Sequence, residues 1–270
     1  MTPLTIRTAL VCLIALGSSA QAQTYFVANL TGAQEVPANA STATGFGRVT
    51  LNAAQTQITV SVYYSGLGSN LTAGHVHGPS AVGANGPVIF NLAPTTGVTS
   101  GSVVGATFNV TSTQAANLAA GLHYINIHSS GFPGGEIRGQ LVPTVPQPAT
   151  LTGAQEVPPV ASGATGTAVV STNSATNQAL ISVQWSGLSG NATAGHIHQG
   201  AFGVNGPLNC NLSPTAAANG SIVDALCSYS AAQITELRNG QYYVNIHTSA
   251  NPGGEIRGQI IDLLFRNGFQ

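Results

Sequence analysis

Residues 57–64 read Gln-Ile-Thr-Val-Ser-Val-Tyr-Tyr, so apolar and polar side chains alternate along the segment. Alternation with a period of two is typical of a β-strand that buries one face. The same pattern returns over residues 179–185. Short strands of this kind, separated by turns rich in Gly and Pro, predict an all-β sandwich or barrel. The sequence predicts one short helix in each half of the chain, over 112–120 and over 231–239.

The strand pattern recurs because the chain contains one sequence twice. Residues 30–37, Leu-Thr-Gly-Ala-Gln-Glu-Val-Pro, return unchanged at 151–158. Further motifs repeat at 72–77 and 193–198, at 85–87 and 205–207, at 126–128 and 245–247, and at 133–140 and 252–259. A repeat this long is a duplicated domain, since the units of a solenoid are much shorter. The sequence predicts domain 1 over 23–142, domain 2 over 150–270, and between them a stiff Pro-rich linker over 143–149.

The first 22 residues have the features of a cleavable signal peptide. Arg7 precedes an apolar run over residues 9–16, and Ala20-Gln21-Ala22 fits the small-residue cleavage site. The run is too short to span a bilayer. We therefore expect an exported protein, periplasmic or extracellular, with no transmembrane anchor in the mature chain.

The composition narrows the classes of partner. Charged residues make up 5% of the 270 residues and the formal net charge is −1, with no lysine. Nucleic-acid binding needs a basic patch, so we expect none. The surface must instead consist of Ser, Thr, Asn, Gln and Gly.

Two cysteines remain in the mature chain, and the repeat predicts that they are bonded. Cys210 aligns with Phe90 and Cys227 aligns with Phe108, so two positions have changed together. Residues that change together are expected to touch. We therefore predict a Cys210–Cys227 disulfide, which an exported protein can form.

The polar motifs gather histidines on one face of each domain. Alternation places His75 and His77 together, and likewise Tyr124, Asn126 and His128. If the apolar sides face the core, the opposite face of the two copies carries His75, His77, Tyr124, Asn126, His128, Glu136, Arg138 and Gln140, and His196, His198, Tyr243, Asn245, His247, Glu255, Arg257 and Gln259.

Two interpretations of this face remain open. In the first, each histidine triplet binds copper or zinc, and Glu136 or Glu255 is a fourth ligand or orients a histidine. In the second, no metal binds: each Glu pairs with Arg138 or Arg257, and the histidines donate to backbone or Asn groups. The supporting residues in the metal interpretation are Tyr124, Asn126, Glu136, Arg138, Tyr243, Asn245, Glu255 and Arg257.

Three other polar residues receive structural roles. His123 falls on the apolar side of its strand, and Tyr242 occupies its place in the second copy. Glu35 and Glu156 precede a Val-Pro pair, where the end of a strand leading into a turn is the expected role.

The repeated motifs resemble the CHRD domain, a family named for chordin. The resemblance rests on the opening Leu-Thr-Gly-Ala-Gln-Glu-Val-Pro, the Ala-Gly-His-Val/Ile-His segment and the closing Asn-Ile-His and Pro-Gly-Gly-Glu-Ile-Arg-Gly-Gln. It covers nearly the whole mature chain, twice. It implies two tandem immunoglobulin-like or Greek-key β-sandwich domains, and it carries no established activity with it.

The His-x-His pair with a distant strand histidine is similar to copper–zinc superoxide dismutase, in which several histidines hold copper and an Arg guides the anion. Arg138 and Arg257 stand in comparable places. The segment 78–86 has no His or Asp for a zinc site, and a bridging histidine is missing.

Three functions follow as alternatives. The first is a non-catalytic exported protein with a copper or zinc site in each domain, and with no catalytic residues. The second is a redox enzyme of superoxide-dismutase type centred on His75, His77 and His128. The third is an adhesion or matrix module that binds a glycan or protein partner without metal.

Overall fold

The computed structural model describes residues 22–261, which form two all-β units in tandem. The predicted fold class is therefore confirmed. The predicted signal peptide lies outside the described residues except for Ala22. None of the helices in the described part of the chain is long and apolar enough to cross a membrane.

The first copy contains nine strands and one α-helix. The strands are β1 (Thr24–Thr31), β2 (Thr44–Leu51), β3 (Gln57–Ser65), β4 (Leu71–His77), β5 (Val88–Asn91), β6 (Gly101–Asn109), β7 (Tyr124–Ser129), β8 (Phe132–Gln140) and β9 (Val142–Thr144). The helix α1 spans Ser112–Ala119, and a 3-10 turn over Gly32–Gln34 follows β1.

The second copy repeats this order with eight strands. They are β10 (Gln147–Thr152), β11 (Thr165–Asn173), β12 (Gln178–Ser186), β13 (Ala192–Gln199), β14 (Leu208–Leu212), β15 (Gly220–Ser228), β16 (Tyr242–Thr248) and β17 (Ile256–Gln259). The helix α2 spans Ala231–Arg238, and a 3-10 turn over Gly153–Gln155 follows β10.

Both predicted helices are present, and local sequence explains where they begin. Thr111 caps α1 and Ser230 caps α2, each accepting a hydrogen bond from the backbone N–H three residues on, while Gln114 and Gln233 bond back to the cap. This reciprocal capping box satisfies N–H groups that the first turn leaves free.

Hydrogen bonds join the strands of each copy into one antiparallel sheet. The order is β5-β4-β7-β8-β1-β2-β3-β6 in the first copy and β14-β13-β16-β17-β10-β11-β12-β15 in the second, and β9 pairs with β1. The chain leaves β3 near one edge of the sheet and re-enters at β4 near the other, a Greek-key connection. Each sheet curls over its own apolar side, so the sandwich predicted from the sequence is one sheet folded onto itself.

The core of each copy lies inside the curl and consists of the apolar residues that alternation assigned to it. Ile58, Val60 and Val62 of β3 are buried, as are Ile181 and Val183 of β12. Side chains that point away from this core form the outer face. On β7 and β8 that face is also buried, because chain segments outside the sheet cover it.

The predicted disulfide is present. Cys210 of β14 and Cys227 of β15 are bonded, with Cα atoms 6.0 Å apart. These are the two edge strands of the second sheet. The bond therefore closes the curl, and it stabilises the domain because it restricts the unfolded chain.

Little of the predicted linker lies outside strands. Residues 143–144 belong to β9 and 147–149 to β10, so Val145 and Pro146 stand between them. Pro143 lies opposite Phe26, so β9 pairs with β1, the first of the described strands. The first sheet thus leads almost directly into the second.

Candidate metal centre

Neighbouring strands bring the histidines of each copy together on the outer face. β4 pairs with β7, with His75 opposite Asn126 and His77 opposite Tyr124. β13 pairs with β16 in the same register, with His196 opposite Asn245. Two triplets result: His75, His77 and His128, and His196, His198 and His247, each with one ring nitrogen per residue within 4.8 Å of the others.

The spacing of the ring nitrogens is close to that of a metal site. His75 Nδ1 lies 3.0 Å from His128 Nε2, and His196 Nδ1 lies 2.8 Å from His247 Nε2. Nitrogens that bind one zinc ion at about 2.0–2.1 Å in tetrahedral geometry lie about 3.3 Å apart. These two nitrogens of each triplet are in hydrogen-bond contact, and the third lies within 4.8 Å of them, so all three rings could reach a common ion only by moving.

Backbone carbonyls set the protonation of the two more buried rings of each triplet. His77 Nδ1 donates to the carbonyl of Gly86 at 3.0 Å, and His128 Nδ1 donates to that of Pro133 at 3.0 Å. Because a carbonyl only accepts, each Nδ1 carries the proton and each Nε2 keeps its lone pair. Fixing the tautomer through the other ring nitrogen is characteristic of metal-binding histidines.

The second copy repeats this arrangement with different chain segments. His198 Nδ1 donates to the carbonyl of Gly206, and His247 Nδ1 to that of Pro252, both at 3.0 Å. His77 Nε2 and His198 Nε2 are buried and have no hydrogen-bond partner. A buried nitrogen with a lone pair and no donor is costly unless something binds it.

The histidines of both triplets are harder to protonate than a free histidine. Burial lowers the pKa of every histidine in them, to about 4 for His128 and for His196, where neighbouring histidines add to the effect of burial. The rings are therefore neutral at pH 7, which is the form that binds metal. His75 and His196 are half-buried, so each triplet is open to solvent on one side.

In each triplet one histidine stacks on a tyrosine ring, and an arginine lies against the same ring. Tyr124 stacks on His77, with centroids 4.8 Å apart and planes 10° from parallel, and the Arg138 guanidinium lies 3.5 Å from the Tyr124 centroid. In the second copy Tyr243 stacks on His198 at 5.0 Å, and Arg257 lies 3.4 Å from the Tyr243 centroid.

The arginine also holds the chain segment that orients the histidine. Arg138 donates to the carbonyl of Ala84 at 2.7 Å and to Asn85 Oδ1 at 3.2 Å, next to the Gly86 carbonyl that fixes His77. Arg257 bonds Val204 and Asn205 in the same way. Both guanidinium groups are buried, at 2% and 1% exposure, so neither is free to attract an anion from solvent.

The structure corrects the roles predicted for Glu136 and Glu255. The Glu136 carboxylate accepts from Ser41 Oγ at 2.7 Å, from the Gly68 N–H at 2.6 Å and from Ser129 Oγ. Glu255 is held in the same way by Ser162, Ser189 and Thr248. Neither carboxylate bonds a histidine or an arginine, because strand alternation gives the face of a side chain but not the neighbour it reaches.

A buried acidic residue beside Asn126 in the first copy, and beside Asn245 in the second, is one that the sequence assigned to a turn. Glu35 is 7% exposed, and its Oε1 has no partner. Burial raises the pKa of its carboxyl to about 7, although the nearby Arg138 cation acts to lower it. Glu156 is buried in the same way, and its pKa is also raised to about 7, but its carboxylate accepts a hydrogen bond from Asn245 Nδ2 at 3.4 Å.

The remaining predicted residues fall into two groups. Tyr124 stacks on His77, Asn126 lies opposite His75 and Arg138 lies against Tyr124, and the equivalent residues of the second copy are arranged in the same way. His123 is buried on the other side of the strand: a Cβ on Gly78 would lie 2.3 Å from its Cδ2, so the ring packs against this glycine. One sequence feature could have identified Glu35 as a buried residue of this face: it is repeated exactly, as Glu156, in a chain with only seven acidic residues.

Comparison with known proteins identifies the repeated unit. The family model described as the CHRD domain matches residues 26–141 and again 147–260. No curated protein sequence matches the chain.

Proposed function

Because the chain belongs to the CHRD domain family and contains two copies of the domain, we propose that it is an exported, non-catalytic protein whose domains each bind one copper or zinc ion. His75, His77 and His128 hold the ion in the first domain, and His196, His198 and His247 hold it in the second. Three histidines leave one coordination position open, on the side where His75 and His196 meet solvent.

The observation that carries the proposal is the unpartnered Nε2 of His77 and of His198. A network without metal would leave each of these two buried nitrogens without a donor, which is unfavourable. Here the Nδ1–carbonyl bonds fix the lone pairs of these nitrogens inside the triplets. The same orphan recurs at the equivalent atom of the two repeated domains.

The environment of the arginines favours binding over redox catalysis. An enzyme of superoxide-dismutase type needs a cation that an anion can reach. Arg138 and Arg257 are instead buried against Tyr124 and Tyr243 and bonded to the chain around Asn85 and Asn205. Their role in this proposal is to hold the ligands in place.

Export rests on the sequence features of residues 1–22 and on the disulfide. Disulfides persist in oxidising compartments, and Cys210–Cys227 closes the second sheet. The proposal therefore assigns the protein to the periplasm or the extracellular space.

The test is metal content. The mature chain, purified without an affinity tag, is loaded with copper or zinc, desalted and measured by elemental analysis. We expect two ions per chain, one in each of the variants His77→Ala and His198→Ala, and none in the double variant. His123→Tyr is the matched control, because it changes a histidine outside the triplets to the residue of the second copy, and it should retain two ions.

Retention of both ions by the double variant would show that the ligand set is wrong. No retained metal in the wild-type chain would favour the hydrogen-bonded network. The next step would then be a search for glycan or protein partners.

A further inference from the structure

The two domains meet through equivalent faces: β6 packs against β15, and side chains of β2 and β3 bond residues of β11, β12 and β15. In the first copy the face consists of β2, β3 and β6, and in the second it consists of β11, β12 and β15, which are the same strands of the repeat. Arg48 of β2 contacts the carbonyl of Val169, which is its own counterpart on β11. A residue that meets its counterpart lies at the axis of a two-fold pairing, so the domains are arranged like the subunits of an isologous dimer.

One contact breaks this symmetry. Arg48 forms an ion pair with Asp224 of β15. The counterpart of Arg48 is Val169, and the counterpart of Asp224 is Gly105, so the symmetry-related contact carries no charge. Asp224 and Gly105 both have a positive φ, of 48° and 69°, which Asp tolerates better than most residues. The two copies have thus diverged at one pair of facing positions.

The ion pair is buried and well supported. The side chains of Arg48 and Asp224 are 2% and 3% exposed. The guanidinium also donates to Ser171 Oγ at 3.3 Å, to the Leu180 carbonyl at 3.2 Å and to Ser182 Oγ. Asp224 accepts from Ser182 Oγ through its carboxylate and from the Tyr63 hydroxyl through its carbonyl, both at 2.9 Å.

This asymmetry decides which domains can pair. Two first domains would bury Arg48 against Gly105 with no anion, and two second domains would bury Asp224 against Val169 with no cation. An unpaired buried charge is strongly unfavourable, so both homotypic pairs are disfavoured. The pair between unlike copies satisfies both charges.

We propose that the face formed by β2, β3 and β6 is a domain-pairing surface whose partner is the equivalent face of the second CHRD domain of the same chain, and that Arg48–Asp224 selects this pair. The chain is then one rigid monomer with its two histidine triplets in a fixed relation, and not two domains on a flexible tether.

The experiment is a double-mutant cycle on the full mature chain. The variants are Arg48→Met, which keeps the length of the side chain, Asp224→Asn, which is suited to a positive φ, and the two combined. Arg238→Met, at the exposed end of α2, is the control. Small-angle scattering gives the radius of gyration, light scattering the mass, and urea unfolding the midpoint; circular dichroism checks that the strands remain.

We expect a compact monomer for the wild type and the control. Each single variant should have a larger radius of gyration and a lower midpoint, and the combined variant should recover part of both losses. Three results would overturn the proposal: single variants that scatter like the wild type, a combined loss equal to the sum of the single losses, or a wild-type chain that is dimeric. If Arg48→Met fails to fold, Asp224→Asn tests the same contact from the other side.

Discussion

The rings of Phe90 and Phe108 stack with their centroids 4.8 Å apart, at the edge-strand positions that the disulfide occupies in the second copy. β5 and β6 share no ladder of hydrogen bonds, so a side-chain contact has to close the first curl. Two aromatic rings do so in one domain, and a covalent bond does so in the other. The two edge strands of each sheet are thus joined by an aromatic contact in the first domain and by a disulfide in the second.

Loss of the disulfide should therefore destabilise the second domain selectively. Cys210→Ala with Cys227→Ala should lower the free energy of unfolding of that domain by about 2–4 kcal/mol. Trp185 is the single tryptophan and lies in the second core, so its fluorescence reports this domain alone. Reductant should shift the wild-type urea midpoint in the same direction and leave the double variant unchanged. An unchanged midpoint in both cases would mean that the bond contributes nothing to stability.

Sequence patterns predicted the features that depend on one strand or on one pair of aligned positions. Alternation gave the core of β3 and the outward face of β4, and paired substitution gave Cys210–Cys227. The patterns did not predict which neighbour a side chain on the outer face contacts. Glu136 bonds Ser129 and Gly68, and Glu35 is buried beside Asn126. Both contacts depend on chain segments outside the sheet that cover this face, and the paths of those segments follow no sequence periodicity.

Arg138 should support metal binding without contacting the ion. Arg138→Met removes the donors to Ala84 and Asn85, so the Gly86 carbonyl is no longer held against His77. We expect the affinity of the first site to fall about 10–100-fold, as for other groups that orient ligands. Competition with a chromophoric chelator measures it.

The second site of the same chain is the internal control for this variant. Asn85→Ala removes one of the two bonds and should have a smaller effect in the same direction. Two sites of equal affinity in Arg138→Met would contradict the assigned role.

Glu136 should be needed for the stability of the fold and not for metal binding. Glu136→Gln places an N–H₂ group among donors, since the carboxylate accepts from Ser41, Gly68 and Ser129. An unmade buried hydrogen bond costs about 1–3 kcal/mol, which urea unfolding should detect. Elemental analysis should still find two ions per chain, and so should the matched variant Glu255→Gln. Loss of one ion from either variant would restore the carboxylate as a ligand.

Glu35 and Glu156 should make stability depend on pH near neutrality. Their pKa is raised to about 7 in the folded chain by burial, while the unfolded chain has the ordinary value near 4.5. Between these values the folded state binds more protons, so these groups destabilise the fold progressively as pH rises from about 4.5 to about 7. The buried histidines, whose pKa is lowered, have the opposite slope below pH 6.5.

The carboxyl contribution is isolated by comparison with Glu35→Gln/Glu156→Gln, which leaves the histidines in place. Relative to wild type, the metal-free double variant should gain stability between pH 5 and pH 7 and hold that gain up to pH 8, because Gln cannot ionise. Each single variant should show about half of the gain, since the two environments match. Urea midpoints with a chelator present provide the measurement. A difference between variant and wild type that does not change with pH would show that the two carboxyls are ionised throughout and lie in contact with water.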